Sequence, residues 1–405
     1  MAFGSLLSTL VLALAVAASP VAIPPNSFVS LPLARRFNAT GTVNLLQRDQ
    51  ARAAALKANG RARLQDRSGS VAATNDAITY TVQVDIGTPG TSYSLLIDTG
   101  SSNTWVGAGK SFVSSPSTVN TGESVTVTYG SGSFSGTEYE DTVSLGNGLT
   151  IRNQSFGVAS QTGGFYGVDG VIGIGPVDLT KGTVGYSDAE IPTVTDNLYS
   201  QGVISEHLVA VSFEPTTSEG VTNGELTFGG TDSSKYTGSI AYTSLTTTSP
   251  ASYYWGIDES IAYGSETILN NTAGIVDTGT TLILIASDAY SKYQSATGAV
   301  EDEGTGLLRI TSSQYSNLKT LNFNIGSETY GLTANAQIWP RSLNTNIGGS
   351  PSDIYLIVND IGSPSGEGLD FINGYTFLER FYSVFDTGNS RVGFATTSYT
   401  NATTN

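Results

Sequence analysis

From about Ser68 onward, short apolar stretches alternate with clusters of Gly, Ser, Asn and Asp. "AITYTVQVDIG", "SYSLLIDTG", "ESVTVTYGSGSFSG", "GELTFGG", "LNFNIGSETYGL" and "YSVFDTGNSRVGFA" are rich in Val, Ile, Tyr, Phe and Thr and are bounded by turn residues. That is the pattern of half-buried strands. Helical patterning is confined to 191–202 and 287–298, each with a cap residue or an early Pro. The body therefore reads as an all-β protein with a few short helices.

Ahead of Ser68 the texture differs. Residues 1–18 carry an apolar run through Val16 with small residues at Ala15 and Ala17, the pattern of a signal peptide without its usual basic start. Residues 19–67 include "LLQRDQARAAALKANGRARLQ", whose Ala, Leu and Arg favour a helix. No later apolar run is long enough to span a bilayer, and the tail has no hydrophobic end to serve as a lipid-anchor signal. The expectation is a secreted protein, with a vacuole as the alternative destination.

Charge sharpens this division. Residues 1–67 hold eight Lys or Arg against two acids, net +6, and the remainder holds ten bases against 32 acids, net −22. A basic leader on an acidic body is consistent with electrostatic docking, and equally with a solvated helix on a linker. So acidic a body repels nucleic acid, which is not expected as a partner.

Composition then narrows the chemistry. The chain has no Cys and a single His, His207. A Ser or Cys nucleophile normally needs a His base. His207 lies in the apolar "SEHLVAVSF", where a structural role is expected. A zinc site needs more His or Cys than the chain has. No metal or organic cofactor is expected. What remains is carboxylate chemistry. Two carboxylates about 3 Å apart cannot both ionise, so they share a proton and titrate together. One can accept a proton from water while the other donates to a carbonyl oxygen.

Asp-Thr-Gly occurs three times, at Asp98, Asp277 and Asp386. The first two belong to a weak internal duplication, "LLIDTGSS" (95–102) and "GIVDTGTT" (274–281), which are 179 residues apart. Each is followed later by an apolar-Gly segment, "DGVIGIG" (169–175) or "FINGYTF" (371–377). Gly100 and Gly279 permit tight turns, and Ser101 and Thr280 can hydrogen-bond the outer carboxylate oxygens. The third triplet follows "YSVF", precedes "NSRVGFA" and lacks the hydroxyl pair, so it reads as a hairpin turn.

With these motifs the sequence resembles the pepsin-like aspartic endopeptidases, and most nearly their cysteine-free fungal members of the polyporopepsin type. The resemblance runs from "YTVQVDIGTPG" to "RVGFA". It implies two similar β lobes, 68–245 and 246–405, with a cleft between them. It implies a monomeric enzyme that hydrolyses peptide bonds of protein or peptide substrates at acidic pH, with Asp98 and Asp277 as the catalytic pair. Thr99 and Thr278 would lock the two triplets together. Tyr129, 31 residues after Asp98, would be the tyrosine of a mobile flap whose tip is Gly130, Ser131 and Gly132. Trp105 would support Tyr129 through its indole N–H. Phe165, Val168, Val171 and Ile275 are candidates for the apolar pockets that select substrate.

The resemblance also makes the leader a pro-segment that inhibits its own enzyme, with 28–37 as an opening strand. Lys57 is the expected partner of the two aspartates, with Arg61 or Arg63 as alternatives, and acid would release the body near Arg67 or Ser68. One departure stands out. Ile372-Asn373-Gly374-Tyr375 carries a polar Asn, and lacks an Asp, where the family has two apolar residues, Gly and Asp. Asn38, Asn153, Asn270 and Asn401 stand in glycosylation sequons. The alternative functional reading is a catalytically weak peptide-binding protein of the same fold.

Overall fold

The computed structural model describes residues 28–37, 44–63, 78–130, 132–218 and 220–405. The signal peptide, the release point near Arg67, Asn38 and Ser131 lie outside the described residues.

The described residues form three sheets. The largest has 13 strands and gathers the first half of the body around Thr91–Asp98, Gly170–Gly173 and Trp105–Val106. The second has seven strands, built around Gly256–Tyr263 and Glu266–Val276. A small third sheet holds Val300–Glu301, Leu308–Ile310 and Ile354–Tyr355. The chain's last hairpin, Phe381–Asp386 and Arg391–Thr396, returns to the large sheet and pairs with Leu208–Ser212. The two halves of the body thus share backbone hydrogen bonds.

The alternation legible in the sequence is realised strand by strand. In Leu321–Ile325, Leu321, Phe323 and Ile325 are buried while Asn322 and Asn324 are half-buried. The core is continuous from Tyr80 and Val84 through Trp255 to Phe371 and Phe385. A smaller apolar cluster of Leu96, Trp105, Tyr129, Phe134 and Phe165 sits apart from it.

The helices are shorter than the sequence pattern by a few residues at most. Within 191–202 the helix is Val194–Ser200, because Thr193 and Asp196 form a capping box that sets its start. Within 287–298 it is Ser287–Thr297, and Gly298 ends it in the left-handed conformation.

The leader contributes two elements. Its strand Val29–Phe37 is inserted in the large sheet between Thr222–Phe228 and Ile78–Ile86. Its helix Leu45–Arg63 begins where Asn44 Oδ1 accepts the N–H of Gln47. Ala53 and Leu56 of the helix join the main core, so docking rather than free solvation describes it.

The third triplet is a turn. Asp386 ends one strand and Arg391 opens the next, four residues intervening. The buried Asp386 carboxylate accepts from the backbone N–H of Asn389 and from Arg391 Nε at 2.7 Å. His207, just before Leu208–Ser212, has its Nε2 2.8 Å from Asp196 Oδ1 and stacks on Tyr199. Both residues serve local structure.

Candidate active site

The two remaining triplets stand on matching scaffolds. Asp98 ends the strand Thr91–Asp98, which runs parallel to Gly170–Gly173 with Ile97 beside Ile172. Asp277 follows Glu266–Val276, which runs parallel to Phe371–Asn373 with Ile275 beside Ile372. The repeated apolar-Gly segments are therefore the strands that flank each triplet.

Beyond the strands the two turns grip each other. The backbone N–H of Thr99 donates to Thr278 Oγ1, and that of Thr278 donates to Thr99 Oγ1, both at 3.0 Å. The hydroxyls donate onward to Val276 O and Ile97 O. All four polar groups are satisfied in a buried place, which holds the turns in one relative position.

Each carboxylate is cradled alike. Asp98 accepts from the Gly100 N–H at 2.9 Å and from Ser101 Oγ at 2.6 Å. Asp277 accepts from the Gly279 N–H at 3.0 Å and from Thr280 Oγ1 at 2.6 Å. A Cβ at Gly100 would lie 2.6 Å from Asp277 Oδ1, and one at Gly279 would lie 2.7 Å from Asp98 Oδ1. Each glycine leaves room for the opposite carboxylate, so the two acids face one another.

A single cation joins them. Arg52 of the leader helix places Nη2 2.5 Å from Asp98 Oδ1 and Nε 2.6 Å from Asp277 Oδ2. All three groups are buried. Burial raises the Asp98 carboxyl, and Asp277 raises it further, against the pull of Arg52. Burial opposes the charge of Asp277 as well, but the two contacts from Arg52 outweigh it and hold Asp277 below the ordinary value.

This corrects the expectation placed on Lys57. Its Nζ donates to Ser363 Oγ and lies 3.8 Å from Glu367 Oε2, and Arg61 Nη2 lies 2.9 Å from the same Glu367 oxygen. Arg63 has no described side chain. The reason is helical phase. Arg48 and Arg52, four residues apart, share one face. Arg48 donates to Gly279 O and Thr281 Oγ1, while Arg52 reaches the acids. Asp49 accepts from the N–H groups of Thr281 and Leu282, and burial pushes its carboxyl up to about 6. Lys57 and Arg61 have the same i, i+4 spacing on another face, so spacing alone did not single out Arg52.

Above the acids lies the hairpin Val119–Thr128 and Ser133–Gly146. Its turn is closed by Tyr129 N–H to Gly132 O at 2.7 Å. Gly130 has φ of +77°, and a Cβ there would collide with Ala51 O and Ala55 of the leader helix. The turn thus rests directly on that helix. Trp105 Nε1 donates to Tyr129 Oη at 2.8 Å.

The four pocket candidates divide. Phe165 packs edge-on against both Trp105 and Tyr129, and a Cβ at Gly132 would strike its ring. Val168 and Val171 belong to the same cluster. Ile275 is fully buried in the main core, paired with Gly256 and Ile372.

The departure at Asn373 is accommodated by a polar pair. Asn373 is fully buried, its carbonyl accepts the Asp277 N–H, and its Nδ2 donates to Glu259 Oε2 at 2.8 Å. Burial pushes the Glu259 carboxyl up to about 8, which keeps it neutral in acid. Tyr375, where the resemblance predicts Asp, is buried near Arg35 of the leader strand, which forms an ion pair with Glu379 at 3.5 Å.

The family model described as eukaryotic aspartyl protease matches residues 79–397. Polyporopepsin of Irpex lacteus is 68% identical over 340 residues, 84% of this chain and all of that protein. Gastricsin of Cavia porcellus is 32% identical over 337 residues, 78% of this chain and 80% of that one. The crystal structure of aspartic proteinase from Irpex lacteus superposes with a TM-score of 0.81 at 60% identity, covering 94% of this chain and all of that chain. The facing triplets, the bilobal strand architecture and these similarities have one meaning: this chain belongs to the pepsin-like eukaryotic aspartyl proteases and is an aspartic-type endopeptidase.

Proposed function

We propose that the chain is a secreted, acid-activated aspartic endopeptidase, made as a precursor whose pro-segment (19–67) inhibits it through the helix Leu45–Arg63. The observation that carries this is Arg52, a leader side chain ion-paired with both Asp98 and Asp277. A cation there neutralises the acids and fills the place of a scissile peptide.

Without Arg52, two facing buried carboxylates share one proton. The ionised one takes a proton from a water, whose oxygen attacks the peptide carbonyl carbon. The protonated one donates to the carbonyl oxygen, giving a neutral tetrahedral diol. One acid then gives its proton to the amide nitrogen while the other takes a proton from a diol hydroxyl, so the C–N bond breaks to leave a carboxylic acid and an amine, and the pair again holds one proton. Ser101 and Thr280 hold the outer oxygens, and the Tyr129 hairpin covers the substrate. Both acids come from one chain, so a monomer suffices.

Acid acts on the acids of the lock with opposing signs. Asp277 is held below its ordinary value, so the docking it supports is present at higher pH and is lost as pH falls through its lowered value. Asp98 and Asp49, both raised by burial, have the opposite sign and favour docking more in acid, so release rests on the loss of the Asp277 contact. Export through a signal peptide at 1–18 completes the reading. Among the described residues no helix is long and apolar enough to cross a membrane. Asn153, Asn270 and Asn401 are exposed and available for glycosylation.

The test is to acidify the purified full-length chain and follow its mass and its hydrolysis of an unfolded protein, with and without a transition-state-mimicking peptide inhibitor. Release near residue 67 with inhibitable hydrolysis is expected. A precursor that stays intact and inactive in acid overturns the zymogen reading. Activity that survives Asp98→Asn or Asp277→Asn overturns the pair. An inactive wild type that binds the inhibitor favours the peptide-binding alternative.

A further inference from the structure

We propose that Glu367 is the acid of a subsite that takes a lysine or arginine side chain of the peptide substrate, two to four residues from the scissile bond. This rests on the reading that the leader helix lies where substrate binds. Leading away from Arg52, that helix touches one cleft element after another. Tyr254 Oη donates to Leu56 O, and Asn59 Nδ2 donates to Thr128 O in the hairpin above the acids. Gly60 lies so close to Pro250 that a Cβ would not fit. Along this track Lys57 and Arg61 both direct their charges to Glu367.

The loop that carries Glu367 is held by the body, not by the leader. Asp370 accepts from the N–H groups of Gly366 and Glu367, and Asp288 accepts from the N–H and hydroxyl of Ser365. The Ser287 N–H donates to Ser363 O. Departure of the leader therefore keeps the loop in place and frees the Glu367 carboxylate and the Ser363 hydroxyl. Among the described residues, the salt-bridge partners of Glu367 are Lys57 and Arg61, both of the leader. The freed carboxylate stands at a cleft edge with both of these cations gone.

The position follows from geometry. Lys57 and Arg61 are five and nine residues beyond Arg52, about 7.5 and 13.5 Å along a helix. An extended peptide rises about 3.3 Å per residue, so the same span reaches roughly two to four residues from the bond at the acids. A partly exposed ion pair is modest in strength, and the expected preference is about three- to tenfold.

The experiment uses the acidified full-length chain. The probes are peptides that differ only in Lys, Arg, Gln or norleucine, placed singly two to four residues to either side of one scissile bond. At one position the ratio of kcat/KM for Lys over Gln should be about three to ten. Glu367→Gln should bring that ratio to about one, and Glu367→Lys should push it below one. A wild-type ratio of one at every position, or a ratio that persists in Glu367→Gln, overturns the subsite. If wild type cleaves no peptide, the functional reading above has failed. Equilibrium binding of the same Lys and Gln peptides, wild type against Glu367→Gln, then decides the subsite by the same ratio.

Discussion

Thr99 and Thr278 exchange hydrogen bonds, each backbone N–H donating to the other's hydroxyl at 3.0 Å. They are 179 residues apart in sequence, and neither bond exists without the other half of the chain. The facing of Asp98 and Asp277 follows from this link, because each acid is adjacent to its threonine. Thr278→Val removes one acceptor and one donor, stranding the Thr99 N–H and Ile97 O in a buried place. A loss of about 2–4 kcal/mol is expected, read as denaturant midpoint. A fall of tenfold or more in kcat is expected with it, and unchanged turnover would show that the lock does not position the acids.

Arg52→Gln tests which cation blocks the pair. The substitution leaves two facing carboxylates without a counter-charge in the precursor. It should make the precursor hydrolyse peptide at a pH where wild type is silent, and should raise the pH of release. Lys57→Gln, whose contacts are with Ser363 and Glu367, should change both properties far less. Equal effects from the two would return Lys57 to the site.

Two buried acids of the body set a direction for stability against pH. Burial pushes Glu259 up to about 8 and Glu138 up to about 7, from an ordinary value of 4.5. An acid with a raised folded-state value holds its proton more tightly when folded. The stability it lends is fully present below about 4.5 and is lost as pH rises toward the raised value. Tm should therefore fall between about pH 4.5 and 8. Glu259→Gln keeps an acceptor for Asn373 Nδ2 and cannot ionise, so the fall should become shallower. A slope identical to wild type would place the alkaline sensitivity elsewhere.

Asp386→Asn is the counterpart of the changes at the pair. It weakens a buried turn in which Arg391 and Asn389 donate to the carboxylate. A cost of about 1–2 kcal/mol is expected from the lost charge-assisted bonds, read as thermal midpoint. Turnover at a temperature where the protein is folded should match wild type. Turnover lost as in Asp98→Asn would give the third triplet a role in catalysis.

Trp105→Phe keeps an aromatic side chain but removes the N–H that reaches Tyr129 Oη, together with part of a fully buried indole. Phe134 stacks on the indole with centroids 4.4 Å apart, so a thermal midpoint measured beside activity separates lost packing from the lost hydrogen bond. A three- to tenfold fall in kcat/KM is expected, on the order of one neutral hydrogen bond. Intact activity would mean that packing alone positions Tyr129.

Much of this was legible before the structure, because it rests on local rules. Alternation and turn residues announced the strands, and the capping residues marked the helices within a few positions. The hydroxyl pair after Asp98 and Asp277, absent after Asp386, separated the facing acids from the turn. Other features depend on how distant segments meet. Val171 and Ile275 both read like pocket residues in a line of text, yet strand pairing buries each of them fully. Asn373 reads as a polar intrusion, yet Glu259, 114 residues earlier, supplies its partner.

By itself, the sequence determined the all-β body, the two triplets and the basic leader, since periodicity, turn chemistry and charge are properties of neighbouring residues. Only the tertiary structure decided which cation meets the acids. Lys57, Arg61 and Arg52 lie on one helix and differ in phase by fractions of a turn. The docked orientation of that helix puts Arg52 between Asp98 and Asp277 and sends the other two to Glu367.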